Sequence, residues 1–176
     1  MLEGQNVNLR VVEKKDLERF TEWVNDLAFT GEYEPVSQIS QTEIEKRYEN
    51  LPPDERWFLI ETKDGQPIGL ITHLLDPGKR MAIGYYVVPS ERRKGFGTEA
   101  VRLMVDYLFL AKNIVRIQAE THPRNMASHR VLAKVGFTKE GTIRKSFFSR
   151  GVWRDTVLFS ILRDEWKNPH ILTKNR

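Results

Sequence analysis

Residues 83–100, "IGYYVVPSERRKGFGTEA", set an apolar run, three adjacent cations and two glycines directly ahead of a second apolar run. Met81 to Val88, rich in Tyr and Val, reads as a strand. Val101, Met104, Val105, Leu108 and Phe109 recur at helical spacing. Gly95-Phe96-Gly97 therefore sits where a strand hands over to a helix. Glycine lets a backbone approach a ligand closely, and the first N–H groups of a helix have no partner inside it. With the helix dipole they make an anion site, most naturally for phosphate, and Arg92, Arg93 and Lys94 stand around it. Taken alone, the segment reads equally well as an exposed basic turn with a glycine for geometry.

Upstream, Val7-Asn8-Leu9-Arg10-Val11 alternates as a half-buried strand does. Asp16 is placed to cap a helix carrying Leu17, Phe20, Val24 and Leu27, and Gly31 ends that pattern. Ser40 with Glu43 forms a capping-box signature for a second helix, stopped at Leu51-Pro52-Pro53. Trp57 to Ile60 and Ile68 to Ile71 flank Asp64-Gly65, a hairpin signal, and a further turn is expected at Asp76-Pro77-Gly78-Lys79. Downstream, Ile114 to Thr121 reads as a strand and Ala127 to Val135 as a helix closed by Gly136. Ile143 to Phe148 and Val152 to Leu162 form a hairpin around Ser149-Arg150-Gly151. The order of elements predicts one α/β or α+β domain with a mixed sheet over residues 1–167, followed by a tail at 168–176.

Bulk properties narrow the function. The chain has 176 residues, 40% hydrophobic and 30% charged, which suits one globular domain with a sizeable core. Lys and Arg number 28 against 24 Asp and Glu, a net charge of +4, so anionic partners are permitted without being demanded. The charges are mixed along the chain and no nucleic-acid motif is present. Cysteine is absent, which removes thiolate nucleophiles, disulfides and Cys-based zinc sites. His122 and His129 lack a third ligand at metal spacing, so no metal is expected. No apolar leader or membrane-length run is seen, and a cytoplasmic setting is expected, without membrane or nucleic-acid partners.

Among phosphate motifs, the Walker loop is missing. Gly95-x-Gly97-x-x-Ala100 satisfies the permissive dinucleotide fingerprint, but Pro89 to Lys94 intervene after the strand, and that strand belongs to an antiparallel meander. The arrangement Val87, Pro89, Arg92, Gly95, Gly97 instead resembles the acetyl-CoA loop of the GNAT N-acetyltransferases, whose core signature is [RQ]-x-x-G-x-[GA]. "IVRIQAETHPRNMASHRVLAKVGF" (114–137) resembles the second half of that family's cofactor site. "EGTIRKSFFSRGVWRDTVLFSIL" resembles the terminal hairpin of its RimJ/RimL branch, the ribosomal-protein N-terminal acetyltransferases. The resemblance spans about residues 4 to 166.

The resemblance implies a seven-stranded, mostly antiparallel sheet with about four helices and two strands splayed at the acetyl-CoA site. It implies direct attack of an amine on the thioester of acetyl-CoA as co-substrate. Backbone N–H groups of Tyr86, Val87 and Val88 would hold pantetheine and polarise the acetyl carbonyl. Those of Arg93, Lys94, Gly95, Phe96, Gly97 and Thr98 would hold pyrophosphate, with Arg92 and Lys94 adding charge. Asn125 would bond the pantetheine arm or cap the following helix, and Lys134 would reach the ribose phosphate or only solvent. Where many relatives carry the tyrosine that protonates the leaving thiolate, this chain has Leu132, and Ser128 matches the serine used instead in the RimJ/RimL branch. Relatives often carry an acidic residue where Ala82 stands. Glu120 is the first candidate base, with Glu32 and Glu34 as alternatives.

The acceptor implied is a primary amine, first a protein N-terminal α-amine. A polyamine, aminoglycoside or amino-acid-derived amine is the alternative, with the acidic loop "TGEYEP" its only hint, and a CoA-binding module without catalysis is a third reading. Monomer and homodimer both stay open.

Overall fold

The computed structural model describes residues 1–75, 80–167 and 169–171. The turn expected at Asp76–Lys79 lies outside them. Eight strands form one sheet in the order β1-β2-β3-β4-β5-β6-β8-β7. They are β1 (Leu2–Glu3), β2 (Val7–Val11), β3 (Arg56–Thr62), β4 (Pro67–Leu75), β5 (Met81–Val87), β6 (Arg116–Thr121), β7 (Thr138–Ser149) and β8 (Val152–Leu162). Every pairing is antiparallel except β5 with β6. Seven strands were expected. The eighth is β1, which pairs Leu2 with Leu9 and is too short at two residues to show a period in the sequence.

Among the described residues there are five α-helices: α1 (Leu17–Asn25), α2 (Leu27–Thr30), α3 (Gln41–Glu49), α4 (Phe96–Ala111) and α5 (Met126–Val135). The expected single helix through Leu27 is interrupted at Asp26, whose backbone is extended and whose carboxylate accepts the Ala28 N–H at 2.8 Å, opening a new helix. Asp16 does not cap α1 with its side chain. That carboxylate accepts the Glu13 N–H and two Arg10 nitrogens, at 2.8, 2.9 and 2.9 Å, because a neighbouring guanidinium outcompetes a free helix end. The Ser40–Glu43 capping box forms as expected, and Gly136 closes α5 in the left-handed region at φ 104°.

The helices cover the sheet on two faces. α4 and α5 pack their apolar sides on Val7, Ile60, Ile71, Ile117, Phe159 and Ile161. Across the sheet, Phe20, Phe29 and Ile44 of α1–α3 pack on Trp57, Leu59 and Leu70. Helix burial of this kind is worth about 25 cal/mol per Å² of apolar surface removed from water. Gly69 lets β4 and β5 lie close together. A Cβ there would fall inside contact distance of the Tyr86 carbonyl oxygen. Arg150 and Gly151, at φ 50° and 79°, make the tight turn between β7 and β8. No helix among the described residues is long and apolar enough to cross a membrane.

Candidate active site at the divergence of two parallel strands

β5 and β6 pair only at Met81 with Ile117 and Ala82 with Gln118. Beyond that point β5 continues to Val87 on β4, and β6 continues to Thr121 on β8, so the two strands part. The Val88 N–H donates to Ile68 O at 2.8 Å. Antiparallel alternation then commits Tyr86 to Leu70 and turns the N–H and C=O groups of Tyr85 and Val87 into the gap. Of the three N–H groups expected to hold pantetheine, those of Tyr86 and Val88 lie on the β4 side and that of Val87 faces the opening. The sequence could not assign this parity without the register.

At the end of β5 the chain makes one 3₁₀ turn, Pro89–Glu91, and enters α4. Arg93 and Gly95 adopt left-handed conformations, φ 66° and 90°. Glu99 is the first residue whose N–H bonds backwards, to Gly95 O at 3.1 Å, and among the described residues no backbone acceptor takes the N–H groups of Arg93 to Thr98. This row of donors at a helix start is a built anion cradle. Of the cations around it, Arg92 donates its guanidinium to Val87 O, Ala28 O and Phe29 O at 2.9, 2.9 and 2.8 Å, clamping the loop to α2. Unpaired carbonyls at a strand end and a helix end draw the guanidinium inward. Lys94 is paired with both carboxylate oxygens of Glu91 at 3.0 Å.

Residues 6–138 match the family model described as "Acetyltransferase (GNAT) domain". The chain is a GNAT-family N-acetyltransferase. It is 33% identical over 180 residues to "Probable N-acetyltransferase YjcK" of Bacillus subtilis, covering 94% of this chain and 98% of that one. Mycobacterium smegmatis RimJ in complex with CoA-disulfide superposes at TM-score 0.77 with 28% identity, over 93% of this chain and 85% of that one. Vibrio cholerae spermidine N-acetyltransferase, in complex with CoA and spermine, superposes at TM-score 0.79 with 24% identity, over 91% and 97%.

Within this family fold, Tyr85 and Tyr86 project from opposite faces of β5, because neighbouring residues of a strand alternate. On the α5 side, the Tyr85 hydroxyl lies 2.9 Å from Ser128 Oγ, and the Asn125 side chain accepts the Ser128 N–H at 3.2 Å. Asn125 therefore caps α5, as one reading of the sequence had it. Burial pushes the Tyr85 phenol up to about 12. On the α1–α2 side, Tyr86 packs against Phe29 and hydrogen-bonds the Glu34 carboxyl. Burial raises the Glu34 carboxyl above its ordinary range, and the Tyr86 bond opposes part of that rise. Burial, together with the charge of Glu34, raises Tyr86 far above an ordinary phenol.

Glu120, on β6, is exposed, and its carboxylate accepts Thr156 Oγ1 at 2.8 Å. The loop carrying Glu32 and Glu34 makes one contact at the end of β6 and two to the terminal hairpin. Tyr33 stacks on His122 at 4.8 Å, Ser149 Oγ donates to Glu34 O at 3.2 Å, and Arg150 donates to Gly31 O at 3.3 Å. His122 Nδ1 accepts the Arg124 N–H at 3.1 Å, which puts the ring proton on Nε2. Lys134 is exposed near the end of α5, and its carbonyl accepts Arg102 at 3.0 Å. Among the described residues no cluster of His, Asp and Glu stands at metal-binding spacing. His73, fully buried, keeps Nδ1 at 3.0 Å from Asp54 O, and burial lowers it to about 4, so it is a neutral core residue away from the chemistry.

Two features of this site went unread in the sequence. The Tyr85–Ser128 pair joins residues 43 apart and the Ser149–Glu34 contact residues 115 apart. The adjacent tyrosines were visible, but nothing local told which face of the strand each would occupy.

Proposed function

We propose that this enzyme acetylates a protein N-terminal α-amine, using acetyl-CoA as co-substrate. The observation that carries the reading is the strand gap at Tyr85–Val87, opening beside the N–H-lined start of α4. CoA pyrophosphate fits the donors from Arg93 to Thr98, and the pantetheine arm runs along the gap towards Asn125 and Ser128. The inward-facing Val87 N–H is placed to bond the pantetheine or the thioester oxygen, where developing negative charge is best stabilised.

The amine approaches from the α1–α2 face. Its nitrogen attacks the acetyl carbonyl carbon, the C–S bond breaks, the leaving sulfur takes a proton from Ser128, and the amine proton passes to a carboxylate. Glu34 suits that task better than Glu120, since a carboxylate made more basic by burial accepts a proton more readily near neutral pH. Glu120, exposed at the strand end, draws the protonated amine in from solvent. An N-terminal amine ionises at about 8, against about 10.4 for lysine, so a carboxylate acting through water is base enough.

Beside His122 the acids Glu32 and Asp155 stand with Arg124 and Arg154, and Glu34 and Glu120 add two further carboxylates to this side, so the acceptor class is decided by assay. A panel of N-terminal peptides, spermidine and an aminoglycoside, assayed for CoA release with acetyl-CoA, tests this. Peptides are expected to turn over with kcat/KM at least tenfold above spermidine. Preference for spermidine would replace the reading by a polyamine acetyltransferase, and CoA binding without turnover on any amine would reduce it to a binding module.

A further inference from the structure

The proposed acid, Ser128, stands at the third position of α5, where a serine hydroxyl ordinarily rotates freely or turns back to the helix backbone. Here it is held from two sides. Asn125 takes its N–H, and the Tyr85 hydroxyl meets its Oγ at 2.9 Å, with the Ser128 carbonyl farther away at 3.5 Å. A serine oxygen has one proton to donate and two lone pairs. Either hydroxyl could donate in this pair, and since a phenol is a far stronger acid than an alcohol, Tyr85 is taken as the donor and Ser128 as the acceptor. Burial holds Tyr85 near 12, so the phenol keeps its proton throughout the working pH range and remains a donor. With one lone pair taken, the Ser128 proton must point away from Tyr85. A donor that is itself accepting a hydrogen bond is also strengthened.

Leu132 bears on the same point. It occupies the position where many relatives place their acidic tyrosine, and it is fully buried among core residues. The phenol of this site comes instead from β5, at the strand gap proposed to hold the thioester.

We propose that Tyr85 is a positioning residue for the transfer reaction, orienting the Ser128 hydroxyl so that its proton is presented to the leaving sulfur of CoA. As the C–S bond breaks, Ser128 gives its proton to the sulfur. The bared serine oxygen is a far stronger base than a phenolate, so Tyr85 passes it the proton they share, and water then returns a proton to the phenol. The inference rests on the reading of Ser128 as the acid.

The test is a double-variant cycle on the full chain, measuring kcat, KM for acetyl-CoA and CoA affinity. Ser128→Ala is expected to lower kcat by roughly 100-fold, in the range of a lost general acid. Tyr85→Phe, which keeps the ring, is expected to lower kcat about tenfold with KM and CoA affinity within about twofold, as for an interaction made only in the transition state. The double variant should then be no slower than Ser128→Ala alone, because the two act as one unit. A Tyr85→Phe loss that multiplies with that of Ser128→Ala would overturn the inference, as would a Tyr85→Phe enzyme of unchanged kcat. Full activity in Ser128→Ala would remove the reading beneath it as well. Should Tyr85→Phe fold poorly, 3-fluorotyrosine at position 85 preserves the shape and strengthens the donor. Its effect on kcat should appear beside Ser128 and vanish in the Ser128→Ala background, and persistence there would overturn the inference.

Discussion

The two sides of the strand gap are built of different material. The side proposed for CoA presents backbone: a strand edge, two left-handed residues and the free N–H groups at the start of α4. The side proposed for the acceptor presents side chains from three separate parts of the chain, namely Glu34 and Tyr33 from one loop, Glu120 and His122 around the end of β6, and Ser149 from the hairpin. A backbone site survives changes of side chain so long as its torsions are kept. A side-chain site depends on distant elements meeting in register. Substrate discrimination is expected where side chains can vary, and cofactor binding where the backbone does the work.

The sharpest way to break this comparison is at the cradle. Gly95→Val places a β-branched residue at φ 90°, a conformation costing about 1–2 kcal/mol even for ordinary residues, and it disturbs the N–H row. CoA affinity by calorimetry is expected to fall at least roughly tenfold, whereas Arg93→Ala, which keeps the backbone, should cost less than about threefold. A larger loss for Arg93→Ala would mean that charge, and not backbone, holds the phosphates.

A smaller effect is expected across the gap. The Tyr86 hydrogen bond favours the ionised form of Glu34, so Tyr86→Phe raises that carboxyl further above its ordinary value. Glu34 must be ionised to take a proton, so activity is lost as pH falls through its pKa. The lower inflection of the kcat/KM profile, beneath the titration of the amine itself, should therefore move to higher pH in Tyr86→Phe. An unmoved inflection would return the base role to Glu120.

The smallest effect belongs to the link between loop and hairpin. Ser149→Ala removes the hydroxyl that holds the Glu34 carbonyl and is expected to lower kcat/KM for the amine by a few-fold, in line with about 1 kcal/mol for one hydrogen bond. CoA affinity should stay unchanged. A parallel fall in CoA affinity would show that the two sides are less separate than their construction suggests.

Much of the fold was legible because its signals are local. The Ser40–Glu43 capping box, the left-handed Gly136 and the Arg150–Gly151 turn each depend on a few consecutive torsions, and each forms where the residues place it. Other positions depended on competition over distance. Asp16 reads locally as a helix cap, but Arg10 takes its carboxylate, and the guanidinium of Arg92, beside the cradle, is held by the carbonyls of Val87, Ala28 and Phe29.

The sequence by itself determined the glycine cradle at the start of α4, since the φ values of Gly95 and the unpaired N–H groups of a helix start are properties of a short segment. Only the tertiary structure decided which tyrosine meets Ser128 and which meets Glu34. A one-residue slip of β5 against β4 would exchange the faces of Tyr85 and Tyr86, bringing the wrong phenol to Ser128 and to Glu34. That register is held by the close approach at Gly69 and by the packing of both sheet faces, and no short stretch of sequence contains it.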